Sequence, residues 1–199
     1  QADFDEDPRW LERIEKNRLL LFVNDERMKK KNPWRFARNR AIVYCGLHAG
    51  LRVSEIVALE LEDLDFHKSY VYISDGKGGK ARRVEMNTDL RNSLLEWLAE
   101  RGEHQDPPKV FLSQKGMKGI TENAVERMLR NMGEKIGIKD LTPHVLRHTF
   151  AHDLVERGVS IRVVADLLGH ASIDTTRKYI RSNKRERRSA VDQLSGERD

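Results

Sequence analysis

The chain has 199 residues, long enough for one substantial domain with its own hydrophobic core. Hydrophobic residues make up 38% and charged residues 35%, which excludes collagen-like and wholly disordered classes. Lys and Arg number 37 against 32 Asp and Glu; the resulting +5 is too small to point to nucleic acid by itself.

Taken in chain order, residues 1–9 read as an acidic linker (Asp3, Asp5, Glu6, Asp7) closed by Pro8. Residues 10–23 carry helical periodicity through Leu11, Ile14, Leu19 and Phe22. Pro33 suits the first turn of a second helix, with Trp34, Ala37, Ala41, Val43 and Leu47 as its apolar stripe and Gly46 and Gly50 near its end. A short helix is expected at 53–59, followed by three short strands at 64–66, 70–73 and 81–86. The last two are joined by the glycine-rich hairpin tip Asp75-Gly76-Lys77-Gly78-Gly79. Helix returns at 88–100, with Leu90, Leu94, Leu95 and Leu98 facing the core, and again at 121–136. Between them, Val110-Phe111-Leu112 reads as a short strand or extended segment. Thr142 and Pro143 open a helix that Gly158 ends, Ser160 opens one that stops at Gly169, and a final helix is expected at 175–180. The sum is a mainly α domain with a small antiparallel β-sheet, an α+β fold.

Basic residues gather at 27–40, 77–83 and 177–188, a distribution that phosphate binding would produce if the clusters converged on one face. The single cysteine, Cys45, sits in an apolar run and excludes an intrachain disulfide; it reads as a small core residue of an intracellular protein. No stretch is long and apolar enough to span a bilayer, no signal peptide is visible, and a start at Gln1 suggests a piece of a longer protein.

Four features carry chemistry. Arg52 opens the short helix, and Glu55 lies one turn later on the same face, so a carboxylate can hold a guanidinium ready for a phosphate. His144 and Arg147 share a face at the start of the Thr-Pro helix, where backbone N–H groups favour an anion. His170 leaves a helix at Gly169, and Tyr179 stands nine positions later among Arg177, Lys178 and Arg181. Taken singly, these are an ordinary surface ion pair, a common His-x-x-Arg, a helix cap and a packing tyrosine.

In this order they resemble the tyrosine recombinase (phage integrase) family, Xer-type recombinases included, over about residues 8–182. Residues 46–59 look like its first signature box, and 141–179, LTPHVLRHTFAHDLVERGVSIRVVADLLGHASIDTTRKY, like its second. The resemblance implies roles. Tyr179 would be the nucleophile, and Arg52 and Arg147 would hold the non-bridging oxygens of the scissile phosphate. His144 and His170 would hydrogen-bond that phosphate, with His144 also able to take the tyrosine proton. Lys77 would protonate the leaving 5′ oxygen, and Glu55 would orient Arg52 and its neighbours. Lys80 is the alternative lysine, but the Gly76-Lys77-Gly78 triplet favours Lys77. Where the family often has proline after Arg83-Val84, Glu85 stands here, outside the chemistry.

The resemblance further implies a site-specific recombinase acting through a 3′-phosphotyrosyl intermediate, with no cofactor, metal or ATP. Its partner would be double-stranded DNA, held by a homotetramer on paired sites that is a monomer without DNA; no membrane is involved, and the setting would be cytoplasmic and nucleoid-associated. Residues 1–9 would be the linker from an N-terminal core-binding domain, 10–182 the catalytic domain, and 183–199 a charged tail that docks on a neighbouring subunit. A type IB topoisomerase has similar chemistry, but the short His170–Tyr179 spacing and compact chain favour the recombinase. Seven intact candidates argue against a non-catalytic DNA-binding module, and the scattered acidic residues argue against a metal-dependent nuclease.

Overall fold

The computed structural model describes residues 8–74, 81–103, 108–115 and 117–169. In order these form helices α1 (Arg13–Val23), α2 (Glu26–Lys31), α3 (Pro33–Ala49) and α4 (Val53–Ala58), then a 3-10 turn (Leu61–Asp63) and strands β1 (Leu64–Asp65), β2 (Tyr70–Ile73) and β3 (Arg82–Glu85). Helices α5 (Thr88–Arg101), α6 (Glu122–Ile136), α7 (Pro143–Glu156) and α8 (Ile161–Leu168) complete the described fold. The final helix expected at 175–180 lies outside the described residues.

Helix α3 is the axis of the core. Ala41 through Leu47 are all buried, so this helix is covered on every side, by α5 and α7 above all. Asn32 caps it by accepting the Arg35 N–H at 2.9 Å, and Pro33 occupies the first turn, where no N–H is needed. Its approach to α7 is so close at Gly46 that a Cβ there would lie 2.7 Å from Leu146 Cβ. Cys45 is buried in this helix, and burial pushes its thiol pKa up to about 12.

The inward face of α5 is Leu90, Leu94 and Trp97, all fully buried, whereas Leu95 is 39% exposed. The expectation that Leu95 faces the core is therefore corrected: one residue beyond Leu94 is a rotation of about 100°, which turns it outward. Trp97 Nε1 donates to the Val110 carbonyl at 2.9 Å, so its one polar atom is satisfied inside the core. Truncating such a side chain costs about 3–5 kcal/mol. Likewise Ile14 of α1 is 69% exposed, and that helix buries Leu19 and Val23 instead. Helix α2 is an element that the sequence pattern does not announce. It has no buried residue and is held by Asp25, whose side chain accepts the Arg27 N–H at 2.9 Å.

The sheet has the order β1-β2-β3, antiparallel throughout. Val71 pairs with Val84, and Ile73 pairs with Arg82. Val71, Ile73 and Val84 are buried, so Arg82, two positions before Val84, also points to the inner face. Val110-Phe111-Leu112 is extended rather than a full strand, with single bridges at Leu112–Gly119 and Glu60–Lys109 on either side.

Candidate active site

Gly50 ends α3 with φ +62°, a left-handed conformation that an L side chain resists. A Cβ there would also lie 2.5 Å from Phe150 Cδ1, so the turn has neither the torsion nor the space for another residue. Two residues on, Arg52 is extended and forms the N-cap of α4. Glu55, at the third helical position, accepts the Arg52 backbone N–H at 2.8 Å through Oε2 and Arg52 Nη1 at 3.0 Å through Oε1.

Two further guanidinium groups converge there. Arg82 of β3 forks onto the carboxylate, Nη1 to Oε1 at 2.9 Å and Nη2 to Oε2 at 3.0 Å, and its Nε donates to the Leu167 carbonyl at 2.8 Å. Arg147 of α7 donates to the Gly50 carbonyl at 2.6 Å and to the Leu168 carbonyl at 2.8 Å, with Nη1 3.9 Å from Glu55 Oε2. The last carbonyls of a helix have no partner within it and carry the negative end of its dipole. Arg82 and Arg147 therefore serve as the C-terminal cap of α8 as well as partners of Glu55.

Exposure divides the three arginines. The side chains of Arg82 and Arg147 are 7% and 5% exposed, that of Arg52 33%. Among the described residues, three guanidinium groups face the one carboxylate of Glu55 in a site largely withdrawn from water. Burial alone would raise the Glu55 carboxyl pKa. The Arg82 hydrogen bonds, the Arg52 N–H and the charges of Arg82 and Arg147 outweigh it, holding the group below its ordinary 4.5. Guanidinium groups gathered in this way suit a site whose ligand is an anion.

His144 stands exposed in the first turn of α7, three residues before Arg147, its ring centroid 6.3 Å from that of His148. Thr142 caps this helix by accepting the Val145 N–H at 3.2 Å, as the Thr-Pro start implies. The structure thus brings together Arg52, Glu55 and Arg147 and sets His144 at the start of Arg147's helix. Lys77, Lys80, His170 and Tyr179 lie outside the described residues. Among the described residues no three His, Cys, Asp or Glu side chains form a metal-binding group, and no helix is long and apolar enough to cross a membrane.

Comparison with known proteins decides the family. Residues 9–186, most of the chain, match the phage integrase family. The chain belongs to that family. Among named phage integrase relatives, tyrosine recombinase XerA of Pyrococcus furiosus is 39% identical over 160 residues, 79% of this chain and 55% of that protein. Tyrosine recombinase XerC of Chromobacterium violaceum is 40% identical over 144 residues, 72% of this chain and 48% of that protein. The chain spans about half the length of these relatives. The crystal structure of XerA recombinase superposes with a TM-score of 0.77 at 32% identity, covering 97% of this chain and 67% of that one. The mainly helical fold with its small antiparallel sheet is thus that of a phage integrase family member.

Arg82 is the site residue that sequence reading misses. The signal is present in the strand alternation: Arg82 shares a face with Val84, and an arginine on the inner face of a strand must find a partner. What the sequence does not supply is the identity of that partner, 27 residues upstream.

The basic stretch at 27–40 is also more committed than its charge suggests. Lys29 and Arg40 pair with Glu96 at 2.6 and 2.5 Å, and Arg27 pairs with Asp25 at 2.9 Å. Arg38 donates to the Leu112 carbonyl at 3.1 Å and lies over Trp34. Burial and the neighbouring Arg35 lower the Arg38 pKa to about 10. Lys30 and Lys31 remain exposed without an ion pair among the described residues.

Proposed function

We propose that this chain is the catalytic domain of a site-specific DNA recombinase that cuts and rejoins strands through a covalent bond to Tyr179. The observation that carries the reading is the Glu55 cluster: two nearly buried arginines and one half-open arginine gathered on a single carboxylate. Phosphoryl transfer needs charge stabilisation and positioning more than it needs covalent help from the protein.

In the reaction, the Tyr179 phenol oxygen attacks the scissile phosphorus and its proton passes to His144. The bond from phosphorus to the 5′ oxygen breaks, and Lys77 supplies the proton that makes a free 5′ hydroxyl. Arg52 and Arg147 neutralise the non-bridging oxygens, and His144 and His170 hydrogen-bond to them. The 3′-phosphotyrosine keeps the phosphodiester energy, so a 5′ hydroxyl from a second strand can reverse the step without ATP. Metal is not required, because the charge a metal would bring is supplied by the arginines.

The functional partner is double-stranded DNA in the cytoplasm, at the nucleoid. Residues 10–182 form the catalytic domain, preceded by a linker from a core-binding domain. The charged segment 183–199 docks on a neighbouring subunit, and the enzyme works as a homotetramer on paired sites and is a monomer otherwise. The test is a nicked, end-labelled suicide duplex carrying a site selected by the protein's own binding, incubated in EDTA. A covalent protein–DNA band on a denaturing gel is the expected result. A band that forms only when magnesium is restored would overturn the metal-free mechanism.

A further inference from the structure

We infer that Arg82 is a positioning residue for strand cleavage: one guanidinium ties the Glu55 carboxylate, and with it Arg52 and Arg147, to the end of α8. The inference rests on the strand-transfer reading above and goes beyond it, because that reading gives Arg82 no role.

Three observations support it. First, the donors of Arg82 are committed inward, two to Glu55 and one to the Leu167 carbonyl, with the side chain 7% exposed. All three nitrogens of its guanidinium are thereby engaged, two of them as a fork on the one carboxylate. Second, Arg82 joins elements far apart in the chain: β3, the N-terminus of α4 and the C-terminus of α8. A planar fork fixes the angle as well as the distance between its partners, which a single ammonium does not. Third, the exit of α8 is shaped to receive it. Gly169 has φ +66°, and a Cβ there would lie 2.8 Å from Arg82 Nη1 and 3.1 Å from both Cδ and Cζ. The helix therefore ends at the one residue that leaves room for this guanidinium, immediately before His170.

Removal of Arg82 should act on chemistry through Glu55. Among the described residues, the charged groups facing Glu55 are Arg52 at the α4 N-cap, Arg82 from β3 and Arg147 from α7. Without Arg82 the carboxylate keeps its burial but loses its forked partner, so its pKa rises and the cluster fails at a higher pH. Arg52 then has no fixed anchor, and loss of near-attack geometry of about an ångström costs about 10²-fold in rate.

The experiment compares the full protein with Arg82→Ala, Arg82→Lys and Arg101→Gln on the suicide duplex. Arg101 is a buried arginine away from the cluster that donates to the Lys109 carbonyl, so its variant reports the cost of losing a buried guanidinium as such. At saturating DNA, Arg82→Ala should cleave about 10²-fold more slowly, with DNA affinity retained and the acid limb of the pH–rate profile moved to higher pH. Arg82→Lys, with charge but no fork, should fall between it and the parent. Arg101→Gln should melt earlier yet keep the parental rate below its melting temperature and the parental acid limb. If Arg82→Ala does not fold, Arg82→Lys decides by the same two readings. Cleavage by the Arg82 variants at the parental rate, or a loss that tracks melting temperature with an unmoved acid limb, would overturn the inference. Absence of a covalent band with the parent would instead sink the strand-transfer reading itself.

Discussion

Arg147 Nη1 lies 2.6 Å from the Gly50 carbonyl, so the buried guanidinium of α7 is fixed to the turn that presents Arg52. One side chain thereby couples two segments that are 97 residues apart in the chain. The geometry of that turn is consequently part of the site, and it depends on a residue with no side chain.

Gly50→Ala should therefore be disproportionately damaging. The left-handed conformation costs an L residue about 1–2 kcal/mol, and forcing a methyl into packed Phe150 adds about 1–3 kcal/mol. Urea unfolding should show a loss of about 2–5 kcal/mol, with cleavage reduced in the material that remains folded. A stability equal to the parent's would show that the turn relaxes freely.

Glu55→Gln tests the electrostatics of the cluster. Breaking a buried ion-pair set by removing one partner costs about 3 kcal/mol near neutral pH. Because the folded carboxyl titrates below its ordinary 4.5, folding favours the ionised form. That contribution is complete above 4.5 and vanishes as pH falls through the lowered folded value. Unfolding curves of parent and variant should differ most near neutrality and converge in acid. A gap that stays constant across the acid range would mean that the charge of Glu55 contributes nothing to stability.

These two predictions rest on residues of different legibility. Gly50, Arg52, Glu55 and Arg147 are readable because each sits at a helix boundary or in a short motif with a local physical reason. The caps at Thr142 and Ser160 and the stops at Gly158 and Gly169 are readable for the same cause, since capping chemistry acts within a few residues. Helix α2 is not readable: six residues, ERMKKK, are too few for periodicity to register, and none of them is buried. Ile14 and Leu95 point inward on hydrophobicity alone, but Leu19 and Trp97 set the buried faces of their helices. The role of Arg82 depends on partners brought together only by tertiary folding, and no local pattern encodes that.

Lys77 is the proposed general acid, and its loss should slow cleavage on the order of 10²–10⁴-fold. A duplex with sulfur at the 5′ bridging position has a leaving group that needs no proton and should largely restore Lys77→Ala. Rescue of Lys80→Ala in its place would move the role three residues along the chain.

Binding and assembly have a separate signature. Arg27, Lys29 and Arg40 are ion-paired and Arg38 is bonded to the Leu112 carbonyl, whereas Lys30 and Lys31 are exposed with no ion pair among the described residues and so are open to phosphates. Lys30→Ala with Lys31→Ala should reduce the salt dependence of DNA binding, at about 0.9 in log–log slope for each phosphate no longer neutralised. Light scattering should find a monomer without DNA. An unchanged slope, or a stable tetramer in the absence of DNA, would contradict this assignment.

The central claim is that Tyr179 forms the covalent bond. The direct measurement is tryptic mass spectrometry of the complex trapped on suicide DNA, with Tyr179→Phe run beside the parent. A nucleotide adduct on the peptide containing Tyr179, and no covalent band with Tyr179→Phe despite retained DNA binding, is the result predicted. An adduct on any other residue, or a covalent band that persists in Tyr179→Phe, would contradict it.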